Sequence, residues 1–290
     1  MRAIKLGLPK GSLQEATFRM FKKAGFSLSV SERSYFPSID DEQIKAVLLR
    51  AQEIPAYVEN GVLDCGITGA DWVLENNAKV EVVDDLLYAK QRLSPVRWVL
   101  VVPHNSRIKK VRDLQGKRIA TELVNVTKKY LKKHKVRVDV EFSWGATEAK
   151  VPQLVDAIVE LTETGSSLRA HNLQIIDTVC ESTTQLIANP RAWKDAWRRN
   201  KIQNIALLLK GAIGAEEKVG LKLNVQEKNF KKVLSLLPAM KNPTISHLSR
   251  TGWFAVEIVA DEKVVRSLIP ALKKAGAEAI IEYNLTKVIP

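Results

Sequence analysis

The chain has 290 residues, 46% of them apolar, enough to bury a sizeable core and, by length, to make about two domains. Lys and Arg number 45 against 32 Asp and Glu, a formal charge of +13 that suits either a nucleic acid or a polyanionic small substrate. The basic residues are spread along the chain, and no zinc-finger, RRM or KH signature appears, so specific nucleic-acid binding is not expected. No apolar stretch approaches the roughly 18 residues of a membrane span, and "MRAIKLGLPKGS" lacks the apolar core of a signal peptide. A cytoplasmic protein without a membrane partner is therefore expected. Cys65 and Cys180 lie in apolar segments and read as buried free thiols. Four scattered histidines, with no CxxC or HxxxH, argue against zinc or haem.

Residues 3 to 8, "AIKLGL", form a short strand; "PKGSL" makes a glycine turn, and "QEATFRMFKKAG" a helix with Gly25 suited to its C-cap. "QEIPAYVENG" reads as a helix closed by Gly61, "LDCGIT" as a buried strand, and "GADWVLEN" as a loop entering another helix. Alternating helices and strands imply a parallel sheet, whose ligands lie beyond the carboxyl ends of its strands, where "PKGS" and "TGAD" fall. "RWVLVVP" opens a second α/β lobe, with helix, turn and strand in "VRDLQGKRIAT", an amphipathic helix in "NVTKKYLKKHK" and a strand in "VRVDVEF". In the stretch "DAIVELTETGSS", Asp156 to Ser167, an apolar strand from Leu154 to Leu161 runs into Thr, Gly and Ser punctuation. A helix capped by Ser166 or Ser167 then follows. Strand, glycine turn and helix start would aim N–H groups and hydroxyls into one concavity, a way to hold phosphate with few charges. Asp156 and Glu160 would repel a bare phosphate, a conflict that disappears for a hydroxylated sugar phosphate or with a divalent cation between them. The plain alternative is an ordinary serine-capped turn with solvated acids. "DTVCESTTQLIAN" is a strand leading back to the first lobe, "RAWKDAWRRNKIQNIALLLKGA" a helix leaving it, and "GAIGAEEK" a joint. From there to "AEAIIEYNLTKVI" the elements follow the order βαββαβ, the ferredoxin-like split repeat. Trp98, Trp144 and Trp253 read as core residues rather than adenine platforms.

Several of these stretches, taken in order, resemble one family: "LGLPKGSL", "RAQEIPAYVENGVLDCGITGADWV", "YAKQRLSPVRWVLVVP", "GATEAKVPQLVDAIVELTETGSSL", "ESTTQLIAN", and "LLPAMKNPTISHL" with "GWFAVE". The family is ATP phosphoribosyltransferase, which begins histidine biosynthesis, in its long form, and the resemblance spans nearly the whole chain. The fold expected is α/β, a two-lobed periplasmic-binding-protein-like catalytic core plus a C-terminal ferredoxin-like βαββαβ domain. Residues 1–95 with 180–212 would form lobe I, 96–179 lobe II, and 213–290 the regulatory domain. The activity implied is transfer of the phosphoribosyl group of phosphoribosyl pyrophosphate (PRPP) to N1 of ATP, with pyrophosphate released and Mg2+ as cofactor. By resemblance Thr162, Glu163, Thr164, Gly165, Ser166 and Ser167 would wrap the 5-phosphate, while Asp156 and Glu160 would face the ribose hydroxyls or Mg2+, Glu160 being the metal contact. The family often has Asp at 160 and Thr at 167; both functional groups are kept here, Glu160 with a longer reach. Because N1 already carries a lone pair, no strong general base is needed, and catalysis rests on positioning and charge stabilisation. Lys10 and Arg50 are expected at the pyrophosphate or triphosphate, with Asp71 nearby to orient them or bind a ribose. The alternatives are a solvated turn lysine and a helix-start ion pair. Asn224, Thr244 and Ala279 match the pocket for histidine as feedback inhibitor, Thr244 as a mere turn cap being the alternative. A homo-oligomer, a dimer assembling to a hexamer, is implied as well. Two other classes compete, a two-lobed solute-binding protein and a nucleic-acid-binding protein driven by charge.

Overall fold

The computed structural model describes residues 2–88, 95–238 and 242–289. The middle of "YAKQRLSPVRWVLVVP" and the "AMK" of "LLPAMKNPTISHL" lie outside the described residues. The chain forms two compact units, Met1–Ala206 and Leu207–Pro290.

The first unit begins with β1 (Ile4–Lys10), α1 (Gln14–Ala24), β2 (Leu28–Ser29), β3 (Ser38–Ile39), β4 (Ile44–Arg50), α2 (Ile54–Glu59), β5 (Cys65–Gly69), α3 (Ala70–Asn76) and β6 (Glu81–Leu86). It continues with β7 (Val96–Pro103), β8 (Arg118–Thr121), α4 (Val124–Lys133), β9 (Asp139–Phe142), β10 (Ala157–Thr162), α5 (Ser166–Ala170), β11 (Leu173–Ser182), β12 (Thr184–Ala188) and α6 (Pro190–Lys194). Helix α7 (Ala196–Gly214) carries the chain into the second unit. Two five-stranded sheets result, ordered β4-β1-β5-β12-β6 and β11-β7-β10-β8-β9. Parallel pairing holds for β1 with β4 and β5 and for β8 with β9 and β10, whereas β12 and β7 run antiparallel to their neighbours. Both sheets are thus mixed, which the alternation of helices and strands alone did not reveal.

Local chemistry explains the elements that frame the cleft. In α1, Ala16, Thr17, Met20, Phe21 and Ala24 recur at helical spacing and bury one face. Gly25 stops the helix at φ 97°, its N–H reaching back to the carbonyls of Phe21 and Lys22. Ile4, Leu6 and Leu8 of β1 are fully buried, and the strand ends at Lys10 beside Arg50, the last residue of β4. The run "DTVCESTTQLIAN" is two strands rather than one, β11 in the second sheet and β12 in the first, with Thr183 alone between them.

The second unit consists of β13 (Lys218–Gln226), α8 (Glu227–Leu234), β14 (Thr244–His247), β15 (Trp253–Asp261), α9 (Glu262–Lys274) and β16 (Ala277–Asn284). Its sheet order β14-β15-β13-β16 is that of the ferredoxin-like repeat. Val219, Leu221, Leu223 and Val225 alternate along β13 and pack against Val233 of α8 and Val265, Leu268 and Leu272 of α9.

Several expectations need correction. Strand β10 starts at Ala157, and Leu154, though apolar, is exposed in the turn before it. Trp98 is buried, Trp253 only half-buried, and Trp144 is 92% exposed and belongs to no core. Cys65 is buried but Cys180 only half so, and both thiols are free. Among the described residues no helix is long and apolar enough to cross a membrane.

Candidate active site

The carboxyl ends of β8, β9 and β10 point the same way, because the three strands are parallel, and the loops that leave them meet at one edge of the second sheet. The loop after β10 is the Thr162–Ser167 turn. Gly165 takes φ 72°, and its N–H donates to Thr162 Oγ1 at 2.7 Å, folding the backbone tightly on itself. The hydroxyls of Thr164 and Ser166 lie 2.9 Å apart, and Ser167 Oγ donates to Glu148 Oε1 at 3.0 Å. Neither Ser166 nor Ser167 caps the helix as expected: Gly165 is the N-cap, no side chain caps α5, and the helix has 5 residues. Both serine hydroxyls are exposed and free of helix duties, Ser166 bonding the Thr164 hydroxyl and Ser167 the Glu148 carboxylate, contacts a ligand can exchange.

Glu160 and Glu163 flank this turn in different environments. Glu160 accepts from Leu161 N–H and from the Thr147 side chain and faces Glu148 and Glu122. Burial, aided by those two like charges, pushes its carboxyl up to about 7. Glu163 has a carboxylate oxygen that is buried without a hydrogen-bond partner and lines the cleft between the two sheets. An acceptor left unpaired in a cleft suits a hydrogen-bond donor better than a bare phosphate oxygen.

Asp156 does not belong here, which corrects the sequence expectation. It precedes β10, at the strand's amino end, about 20 Å from Thr162 at the usual rise per residue. Its Oδ2 accepts from Arg118 N–H at 2.9 Å and Oδ1 lies 3.4 Å from Lys117 Nζ, so it anchors β8 to β10. Those partners hold its carboxyl below the usual range, the Arg118 N–H bond first and the Lys117 charge after it.

The first sheet supplies the opposing wall. Lys10 and Arg50 are register partners at the ends of β1 and β4, both exposed, and Lys10 Nζ sits 4.0 Å from the centre of the Tyr35 ring. The loops beyond β4 and β8 meet where Gln52 Nε2 donates to Glu122 Oε2 at 3.4 Å. Asp71, expected to orient the cations, is 3% exposed. Its Oδ2 accepts from Trp98 Nε1 at 2.6 Å and its Oδ1 from Trp72 N–H at 3.0 Å, while its own N–H donates to Ser182 Oγ at 3.1 Å. Burial pushes its carboxyl up against those bonds. These contacts make Asp71 a connector between α3 and the second sheet, a role that no local sequence pattern signals.

Ser12, Gly69, Asp71, Glu163, Ser182 and Thr183 line the enclosed part of the cleft, whose volume is about 120 Å³. That is below the roughly 300–1,000 Å³ typical of ligand pockets, so a larger ligand would fit only by extending into its open mouth. Among the described residues no three acidic, His or Cys side chains form a ready metal cage. Mg2+ usually keeps several waters and takes one or two carboxylates plus substrate phosphate, a donor set that Glu160 and a diphosphate would fit. In the second unit Asn224, Thr244 and Ala279 come together in one groove of about 400 Å³ with Lys222, Ser246 and Glu257. Ala279, in β16, stands at φ 47°, in the left-handed region.

The comparisons with known proteins agree over the whole chain. The family description ATP phosphoribosyltransferase matches residues 50–211, and that of its C-terminal domain matches residues 215–287. The ATP phosphoribosyltransferase of Thermodesulfovibrio yellowstonii is 59% identical over 289 residues, covering 100% of this chain and 99% of that protein. That of Chlorobium chlorochromatii is 58% identical, covering 99% and 98%. Among solved structures, an ATP phosphoribosyl transferase (HisG:HisZ) complex from Thermotoga maritima superposes with a TM-score of 0.62 at 28% identity, covering 73% of this chain and 98% of that one. The periplasmic aliphatic sulphonate binding protein SsuA of Escherichia coli shares the fold at a TM-score of 0.50 and 14% identity, covering 94% and 91%. The two family matches and the full-length identity together establish that this chain belongs to the ATP phosphoribosyltransferase family of histidine biosynthesis, in the long form with a C-terminal domain.

Proposed function

We propose that the cleft transfers the phosphoribosyl group of PRPP to N1 of the adenine of ATP. The observation that carries this reading is the Thr162–Ser167 turn. It is a glycine-folded, hydroxyl-rich loop at the end of a buried strand, with the unpaired Glu163 oxygen beside it. The 5-phosphate would replace the hydroxyl-to-hydroxyl bond of the turn, and the ribose hydroxyls would donate to Glu163 and Glu160. The N1 lone pair forms the new bond to the anomeric carbon while the bond to the pyrophosphate oxygen breaks, its electron pair leaving with pyrophosphate. Lys10 and Arg50, side by side on the facing sheet, supply charge for the leaving group or the triphosphate. Mg2+, when carried in by the diphosphate, would neutralise part of that charge. In a folded sample, pyrophosphate should appear only when ATP, PRPP and Mg2+ are all present; no release under those conditions defeats the reading.

Histidine as feedback inhibitor is the second half of the proposal, supported by the convergence of Asn224, Thr244 and Ala279 on one polar groove. Asn224→Ala should leave the uninhibited rate intact and raise the histidine concentration for half-inhibition by roughly tenfold or more. Unchanged inhibition would move the effector elsewhere. Assembly into a homo-oligomer is part of the same reading, because allosteric coupling of this sort commonly runs through subunit contacts.

A further inference from the structure

The loop that follows β9 is anchored at both ends and lifted in the middle. Ser143 is fully buried, its N–H donating to Thr121 O at 2.9 Å and its hydroxyl lying 3.0 Å from Thr147 Oγ1. Thr147 is buried in turn and hydrogen-bonds Glu160. Between these anchors Gly145 at φ 117° and Ala146 at φ 49° turn the chain outward. The side chain left on the crest is Trp144, 92% exposed, and among the described residues its ring meets one aromatic neighbour, Phe142, edge to face at 4.8 Å. An indole held in water on an anchored loop contributes nothing to the core, so its face is available to a flat partner.

Position identifies the partner. Trp144 is three residues from Thr147, hence at most about 10 Å by chain length from the residue that touches Glu160. In the proposed transfer N1 attacks the anomeric carbon of the sugar whose phosphate the Thr162–Ser167 turn would hold, so the base has to come within bonding reach of that sugar. Across the cleft Tyr35 has the Lys10 ammonium over its ring, while Trp72 packs against the buried Trp98. Phe142 and Trp144 are the aromatic pair exposed beside the turn.

We propose that Trp144, braced edge-on by Phe142, is the base platform of the site, on which the purine ring of the nucleotide stacks. This assignment rests on the transferase reading above, and nucleotide binding tests it apart from turnover. ATP binding to the full-length protein is measured by calorimetry for wild type, Trp144→Phe and Trp144→Ala, with inorganic tripolyphosphate as the probe lacking a base. Loss of a base stack typically weakens binding roughly 5- to 150-fold. Trp144→Ala should weaken ATP by about tenfold or more and leave tripolyphosphate and PRPP within about twofold, while Trp144→Phe should recover most of the loss. ATP should also quench wild-type indole fluorescence, a component that Trp144→Phe removes while still binding ATP. The proposal is overturned if Trp144→Ala, folded by circular dichroism, binds ATP as wild type does. It is overturned equally if the substitution changes only the particle's mass in solution, which would make the ring a contact between copies. A wild-type protein that binds ATP through Trp144 but never releases pyrophosphate would sink the transferase reading and keep the platform.

Discussion

One acid precedes strand β10 and another lies toward its carboxyl end, and the two have opposite electrostatics. At the amino end Asp156 is bound by a backbone N–H and a lysine, which favour its charge. Near the carboxyl end Glu160 is largely buried and faces two further glutamates, which disfavour its charge. One acid is a structural tie and the other is held under electrostatic stress. A ligand that brings hydroxyl donors or a cation relieves that stress, so the carboxyl end is the one prepared for binding.

The strongest way to break this contrast is to destroy the turn at the carboxyl end while leaving the amino end alone. Gly165→Val places a β-branched residue at φ 72°, with its Cβ 3.0 Å from Arg169 Nη1, so the turn must rebuild. PRPP affinity measured by calorimetry should fall by roughly a hundredfold or more, the effect of a few kcal/mol of strain, while ATP binding changes little. Wild-type PRPP affinity in this variant would remove the turn from the site.

Glu160→Gln sharpens the contrast next, because it should harm turnover and help the fold. The folded carboxyl keeps its proton up to about 7, whereas an ordinary glutamate loses it near 4.5. The folded state therefore binds more protons between those values, and stability contributed by this group is lost as pH rises through about 7. Glu160→Gln removes that penalty, so its melting temperature should overtake the wild type progressively from pH 4.5 to above 7. The gain expected is about 1–3 kcal/mol. PRPP binding by wild type should release a proton near neutrality, and the variant should release none. A melting-temperature difference independent of pH would contradict the environment assigned to Glu160.

The smallest effect belongs to Asp156→Asn. Its pairing favours the charged form, so the stabilisation is present above the unfolded value near 3.8 and lost as pH falls through the lower folded one. The side chain is 34% exposed, so the discounted effect is below about 1 kcal/mol. KM for PRPP should stay within about twofold; a tenfold rise would restore Asp156 to the sugar.

The sequence made the Thr162–Ser167 turn legible because its chemistry is local: an apolar strand, then hydroxyls around a glycine. The same reading misplaced Asp156, since an apolar run announces that a strand exists but not where it starts, and Leu154 looked like strand while lying exposed in a turn. The bond from Trp98 to Asp71 was not legible, because the two residues are 27 positions apart and only the fold brings them together. Trp144 was read as core in preference to an adenine platform on residue type alone; its exposure follows from two buried anchors on either side, which only the fold supplies. The antiparallel strands escaped for the same reason, as the passage of the chain between sheets at Thr183 is a long-range decision.

That passage has a mechanical corollary. One residue separates a strand of one sheet from a strand of the other, and beside it Ser182 Oγ accepts from the Asp71 N–H while Asp71 is tied to the Trp98 indole. Such a joint resists sliding, since any slip would tear both ladders. The two sheets are also pinned beside it, so any swing of the glycine turn relative to Lys10 and Arg50 would act against the Ser182 and Trp98 bonds to Asp71 first.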